Sequence, residues 1–306
     1  MPAIAVRNRH DVIVVGGSFA GLSAAMQVAR ARRRVLVVDA GRPRNRFAAH
    51  SHGFLGQDGR VPQAITRIAR EQLLAYPTVA FEHDEVVAAH SVGDGFALQL
   101  ASGTIAHAAR LVLATGVEDE LPKIPGLTER WGRTVLHCPY CHGYEVAGGT
   151  LGVLATMPGS VHQALLVADW GEVVLFADAS FALDDTQRGA LAARGVRIEP
   201  VPVRAMATAV DGDETVHLAD GRIVVLSALF VATTTRPASA LAGSLGCAFD
   251  DGPQGPVIRV DAKQATTVPG VFAAGDAASA MSNATLASAG GVLAGVFAHQ
   301  SLAIPA

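Results

Sequence analysis

An apolar run that breaks into glycines and resumes as a helix constrains this chain more than any other feature. Asp11-Val-Ile-Val-Val15 has the β-branched composition of a buried strand, Gly16-Gly17-Ser18-Phe19-Ala20-Gly21 follows at once, and the Ala-rich stretch Leu22–Arg30 has helical character. A second apolar run, Val35–Val38, ends in Asp39. Strand, glycine turn, helix and strand with an acid at that distance form the frame of a dinucleotide site. Its glycines let the backbone approach a pyrophosphate at the helix N-terminus, and the acid accepts from ribose hydroxyls. Gly16, Ser18, Ala20, Gly21 and Asp39 are therefore candidate cofactor-binding residues. Ser18 stands where the G-x-G-x-x-G pattern has its middle glycine, so the flanking strands and the acid separate this reading from an ordinary strand-to-helix turn.

The rest of the chain repeats the frame with altered chemistry. Ile65–Tyr76 has helical periodicity, the stretches around Val86, Phe96–Leu100 and Thr104 alternate as strands do, and Ala109–Gly116 reads as a buried strand ending in a glycine turn. Pro122 and Pro125 mark a connector. Leu151–Leu154, Val161–Trp170, Val173–Phe176 and Asp184–Arg194 then give strand, helix, strand and helix again. The turn where phosphate belongs reads Ala155-Thr156-Met157-Pro158-Gly159-Ser160, with bulk in place of glycine and a proline that removes an amide donor. Ala177–Ser180 after the second strand holds no basic residue for a 2′-phosphate. Ala228–Thr233 is expected to be a strand returning to the first unit. Val268–Asp276 joins a β run to an acid positioned for a polyol hydroxyl, and Ala277–Ala306 contains no Asp, Glu, Lys or Arg. Its Ala, Ser and Gly content predicts a closely packed buried helix in preference to a membrane span.

Between the two frames lies Cys138-Pro139-Tyr140-Cys141-His142-Gly143-Tyr144-Glu145. With three cysteines in 306 residues there is no disulfide framework, and a close pair suits redox chemistry. A zinc half-site is the other use of such spacing, yet no second Cys-x-x-Cys or Cys-His pair completes it, and no metal is expected. A cysteine at a helix N-terminus has a lowered pKa, of about 3.5 to 7.5, and His142 is suited to exchange protons beside it. Cys138, Cys141 and His142 are the candidate catalytic residues. His137, His50 and His52 are weaker ones, the last two on a loop expected to wall the cofactor. Cys247 reads as a buried apolar side chain. The basic run Arg30–Arg34 ends a helix favourably and is assigned no function. A net charge of −3 and a pI of 6.4 offer no basic field, so neither nucleic acid nor an anionic membrane is an expected partner. Met1–His10 lacks the apolar core of a signal peptide, which points to a cytoplasmic location.

Taken in order, Gly16–Gly21, Ala114-Thr115-Gly116, the cysteine pair and Gly270-Val-Phe-Ala-Ala-Gly-Asp276 resemble the low-molecular-weight thioredoxin reductase family across nearly the whole chain. The resemblance implies an α/β fold of two Rossmann-like domains of the three-layer ββα type. An FAD domain is expected from 1–118 and 246–306, with a pyridine-nucleotide-like domain, 119–245, inserted and carrying the dithiol. It implies FAD as cofactor, adds Thr115, Gly116, Gly275 and Asp276 to the cofactor-binding set, and suggests a homodimer. That family has a glycine-rich NADPH turn and an aspartate after the second cysteine. Here the turn is filled and His142 takes that position. In both respects the chain looks like the flavin-dependent dithiol oxidases similar to gliotoxin and holomycin oxidases. Those imply a small-molecule dithiol and dioxygen as partners, a flavin-facing Cys141, and hydrogen peroxide as product. The alternative is a disulfide reductase drawing on NADPH or ferredoxin.

Overall fold

The computed structural model describes residues 9–179, 181–209 and 212–304. The chain divides into two compact units. One gathers the chain up to Arg46, Pro62–Glu118 and Thr235 onward; the other holds Phe47–Val61 and Asp119–Thr234. The inner segment expected at 119–245 therefore ends at Thr234 and is joined by Phe47–Val61.

In the first unit, β1 (Arg9–Val15) lies parallel between β2 (Val35–Val38) and β6 (Ile105–Leu113), and β3 (Val79–Glu82) adds parallel outside β2. β4 (Val86–Val92) and β5 (Gly95–Leu100) extend the sheet antiparallel from the first half of β6. The second half of β6 pairs in parallel with β19 (Val271–Ala273). Parallel strands covered on both faces must be apolar throughout, and Val12–Val15 and Val35–Val38 are all buried. Val12, Val14, Val35 and Val37 pack on α1 (Phe19–Arg30) and α7 (Ala284–Ala303). Ile13, Val15, Leu36 and Val38 pack on Phe96, Leu98 and α6 (Leu241–Ser244). α2 (Pro62–Leu74) contributes buried Leu73 to the helical face, and β17 (Phe249–Asp251) forms a hairpin with β18 (Pro256–Ile258).

α7 is long and apolar enough to cross a membrane by length and composition. Its buried positions are Gly291, Ala294, Gly295 and Ala298. A Cβ at Gly291 would stand 2.1 Å from the Ala20 carbonyl oxygen and one at Gly295 2.3 Å from that of Ala24, so glycine is what lets α7 lie against α1. The expectation of a buried helix holds for this stripe; Leu286, Val292 and Leu293 face outward.

β7 (Val117–Glu120) and β16 (Thr234–Pro237) bound the second unit. Within it, β8 (Val135–Leu136), β9 (Thr150–Leu154), β10 (Glu172–Phe176), β11 (Arg197–Glu199) and β15 (Ala228–Val231) form a parallel sheet in the order β11-β10-β9-β15-β8. One face takes α4 (Gly159–Val167) and α5 (Asp185–Ala193). The other takes an antiparallel sheet of β12 (Val203–Thr208), β13 (Glu214–Leu218) and β14 (Ile223–Leu226). This is the expected layering of sheet, sheet and helix. The expectation for Ala228–Thr233 is corrected: β15 pairs with β9 and β8 of the second unit. All four residues of β15 are buried, and so apolar a strand carries no mark of which sheet it joins. Ser180, the last residue of the turn without basic groups, lies outside the described residues, as do most of Met1–His10 and the end of Ala277–Ala306.

Candidate active site

In the first unit β1, β2, β6 and β19 end at one edge of the sheet, and each is followed by one of the motif turns. After β1, Gly16 takes φ +105°, and a Cβ on it would lie 2.2 Å from the Ala114 carbonyl oxygen at the end of β6. Gly21 admits no side chain, since its Cβ would come within 1.8 Å of the Gly16 carbonyl oxygen. The Gly17 N–H donates to Asp39 Oδ1 at 3.0 Å, so the acid at the end of β2 braces the turn. Gly116 (φ +69°) turns the chain out of β6. Gly275 (φ +73°) follows β19, and its Cβ would meet that of Ala20 at 2.9 Å. Ser18 is the N-cap of α1 without a side-chain capping bond. Asp276 accepts from Arg44 Nη1 at 3.0 Å, and the same nitrogen donates to Ser282 at 2.6 Å. The structure thus gathers Gly16, Ser18, Ala20, Gly21, Asp39, Thr115, Gly116, Gly275 and Asp276 at one carboxyl edge. Arg44 is an addition to that group. It lies on the short loop after β2, and the acid it meets, Asp276, is brought to it by the fold.

In the second unit Cys138 and Cys141 form a disulfide, with Cα atoms 5.3 Å apart. Cys138 is the N-cap of α3 (Pro139–His142), a single turn opened by Pro139, whose fixed φ suits the first helical position. Gly143 permits close packing: a Cβ there would lie 2.8 Å from the Trp170 ring. Tyr140 meets the same ring edge-on. The Gln163 side chain, buried on α4, donates to the His137 carbonyl at 2.7 Å and ties the strand leading into the pair to the helix behind it. His142 is partly buried; desolvation pushes its pKa below the ordinary value, Glu145 opposes that shift, and His52 adds to it. His52 and His50 belong with this unit, and His52 Nδ1 sits 3.4 Å from Glu145 Oε1. No group of three metal-ligating side chains occurs among the described residues. Cys247 is buried, and desolvation raises its pKa.

The second glycine-turn position is closed on itself. Ser160 is fully buried, and its hydroxyl accepts from the backbone N–H groups of Thr156, at 3.1 Å, and Met157, at 3.3 Å. Those amides precede α4, where a dinucleotide phosphate would be received. Pro158 caps the helix and has no N–H to offer.

The family model of pyridine nucleotide-disulphide oxidoreductases matches residues 10–291. The chain belongs to this family. It is a thioredoxin reductase-like FAD-dependent thiol-disulfide oxidoreductase. It is 34 % identical to thioredoxin reductase tcpT of Claviceps purpurea, over 96 % of this chain and 95 % of that protein. An oxidoreductase from Agrobacterium tumefaciens has the same fold at a TM-score of 0.93 and 46 % identity, covering 97 % of this chain and all of its own. HlmI matches at a TM-score of 0.91 and 38 % identity, over 99 % of this chain and 95 % of its own. The residues at the first-unit edge fit FAD: three glycine positions where a Cβ would strike protein atoms leave backbone in place of side chains, beside a helix N-terminus suited to phosphate.

Proposed function

We propose that the protein is a dithiol oxidase that closes an intramolecular disulfide in a small molecule, with dioxygen as the final acceptor. The observation carrying this reading is the self-closed turn at Thr156–Ser160, where one buried hydroxyl occupies amides that a pyridine nucleotide would need. An intact redox pair without a receptive nucleotide turn favours electrons entering through the cysteines.

Gly16–Gly21, Asp39, Thr115–Gly116 and Gly275–Asp276 would hold FAD, which when bound would supply a two-electron relay from the reduced cysteine pair to dioxygen, with hydrogen peroxide as product. The chain's own part is thiol–disulfide exchange. His142, neutral at pH 7 because burial lowers its proton affinity, takes the proton of one substrate thiol. That thiolate attacks Cys138 Sγ, the Cys138–Cys141 bond breaks, and the electron pair leaves on Cys141. The second substrate thiol gives its proton to the Cys141 thiolate and attacks the first substrate sulfur. Cys138 leaves as thiolate, the product departs as a disulfide, and the two protons and two electrons remain with the enzyme. Base catalysis needs neutral His142, so the rate is expected to hold to below the ordinary imidazole value of about 6.5 and to fall with further acidification.

A disulfide reductase is the second reading, favoured by the name of the tcpT relative. Anaerobic mixing separates the two. Dithiothreitol is expected to bleach the flavin and NADPH to leave it coloured, while Cys141→Ser loses the dithiol response at least a hundredfold. Rapid bleaching by NADPH, or undiminished dithiol-driven oxygen uptake in Cys141→Ser, sinks the oxidase proposal.

A further inference from the structure

Arg42 and Arg44 lie on one short loop but are used differently. Arg42 pairs with Glu85 at the surface, where both side chains face solvent. Arg44 and Asp276 each have only 18 % of the side chain exposed, and they pair at 3.0 Å. The nitrogen that meets Asp276 Oδ2 also donates to Ser282 Oγ at 2.6 Å. Asp276 belongs to the 3₁₀ turn Gly275–Ala278 that follows β19. Ser282 precedes Asn283, the N-cap of α7, whose side chain accepts from the Thr285 and Leu286 N–H groups. Arg44 thus ties the loop after β2 to both ends of the connection between β19 and α7. That connection touches the first turn of α1, since a Cβ on Gly275 would meet the Ala20 Cβ at 2.9 Å. Two carboxylates, Asp39 and Asp276, therefore stand at an edge suited to a cofactor with an anionic pyrophosphate. Asp39 Oδ1 is engaged by the Gly17 N–H, whereas Asp276 is engaged by a guanidinium, a group that keeps its charge at any working pH.

We propose that Arg44 is a positioning residue for FAD that acts through Asp276. It holds the carboxylate by Oδ2, leaves Oδ1 for a cofactor hydroxyl, and offsets the negative charge that Asp276 would otherwise present to the cofactor's phosphates. A loose aspartate rotates about two side-chain bonds and points into water for part of the time. One pinned by a charge-assisted bond has given up that freedom before the cofactor arrives, so less order has to be imposed on binding. The bond to Ser282 does the same for the guanidinium itself. A lysine at this position would supply the charge without the planar fork that fixes its direction. The role concerns retention of the cofactor and is the same whichever molecule accepts its electrons.

The test follows FAD release from loaded enzyme after dilution, read as the rise in free-flavin fluorescence. It compares wild type, Arg44→Gln, Arg44→Lys, Asp276→Asn and the double variant Arg44→Gln with Asp276→Asn. Arg44→Gln is expected to release FAD about tenfold faster, the effect of one lost charge-assisted hydrogen bond. Arg44→Lys should stay within about threefold of wild type, because the charge remains. Asp276→Asn should also release faster, and in that background Arg44→Gln should add less than about twofold, since the group it acts through is already gone. An arginine that merely braced the fold would cost the same factor in both backgrounds. Equal factors, or release at the wild-type rate from Arg44→Gln, overturn the proposal. Where a variant purifies without flavin, FAD is added back and the same comparison is made on its dissociation constant. If Arg44→Gln fails to fold, as circular dichroism will show, the effect of Arg44→Lys with and without Asp276→Asn decides by the same criterion. FAD release needs no turnover, so the outcome stands apart from the choice of electron acceptor.

Discussion

At the residue scale the cofactor edge is held by positions where one extra carbon has nowhere to go. Gly21→Ala would place a Cβ 1.8 Å from the Gly16 carbonyl oxygen, and a carbonyl within the turn cannot retreat as a flexible side chain can. The variant is expected to bind FAD at least tenfold more weakly and to purify largely colourless, as the ratio of flavin to protein absorbance will report. Gly189→Ala, on α5 with open space around its Cβ, is the counterpart. It should keep its flavin and gain about 0.5–1 kcal/mol in thermal denaturation, because alanine favours a helix over glycine. A colourless Gly189→Ala or a fully loaded Gly21→Ala contradicts the steric account. These residues were legible in the sequence because close backbone approach demands glycine, and a bracing acid follows at a fixed distance. Arg44 was not, and His52 was legible only as a weaker candidate: the acid that each one meets, Asp276 or Glu145, comes from a distant part of the chain.

Among the elements, α7 shows how composition announces a helix without announcing its faces. Twenty residues without charge from Ala284 to Ala303 read as helix, but only the spacing of Gly291, Ala294, Gly295 and Ala298 tells which side meets α1. Gly295→Val would bring a Cβ within 2.3 Å of the Ala24 carbonyl oxygen and force the helices apart. A loss of about 1–3 kcal/mol is expected in chemical denaturation, and unchanged stability would show that α7 does not need this close approach. The strands divide the same way. β1 and β2 were legible from the motif between them, whereas β15 is apolar on both faces and was expected in the wrong sheet. The second sheet layer was implied by the resemblance alone, since β12 and β14, short strands with partly exposed faces, give little periodicity of their own. In the second unit the turn before α4 was legible as damaged from Met157 and Pro158, but that Ser160 fills the vacated role required the structure.

For the whole molecule we propose a homodimer, as the resemblance to thioredoxin reductases implies. The outward face of α7 exposes Leu286, Val292 and Leu293 without a charge, an apolar surface of the kind a partner covers. Light scattering of the FAD-loaded protein should return about twice the 31.5 kDa chain mass; a single-chain mass across the micromolar range removes the proposal. The order of the chain within the fold was legible only in outline, since the expected boundary at 245 and the placement of Phe47–Val61 depend on contacts rather than on local pattern. That discontinuity has a consequence for biosynthesis. The edge that receives FAD needs the turn after β19, and α1 behind it packs on α7, yet β19 and α7 follow β1 and α1 only after the whole of the second unit. A nascent chain already carrying β1, α1 and Asp39 therefore lacks one wall of its own cofactor site until β19 and α7 have been made. A chain cut short before β19 is therefore expected to stay apo-protein and, with its first sheet unfinished, to be open to proteolysis.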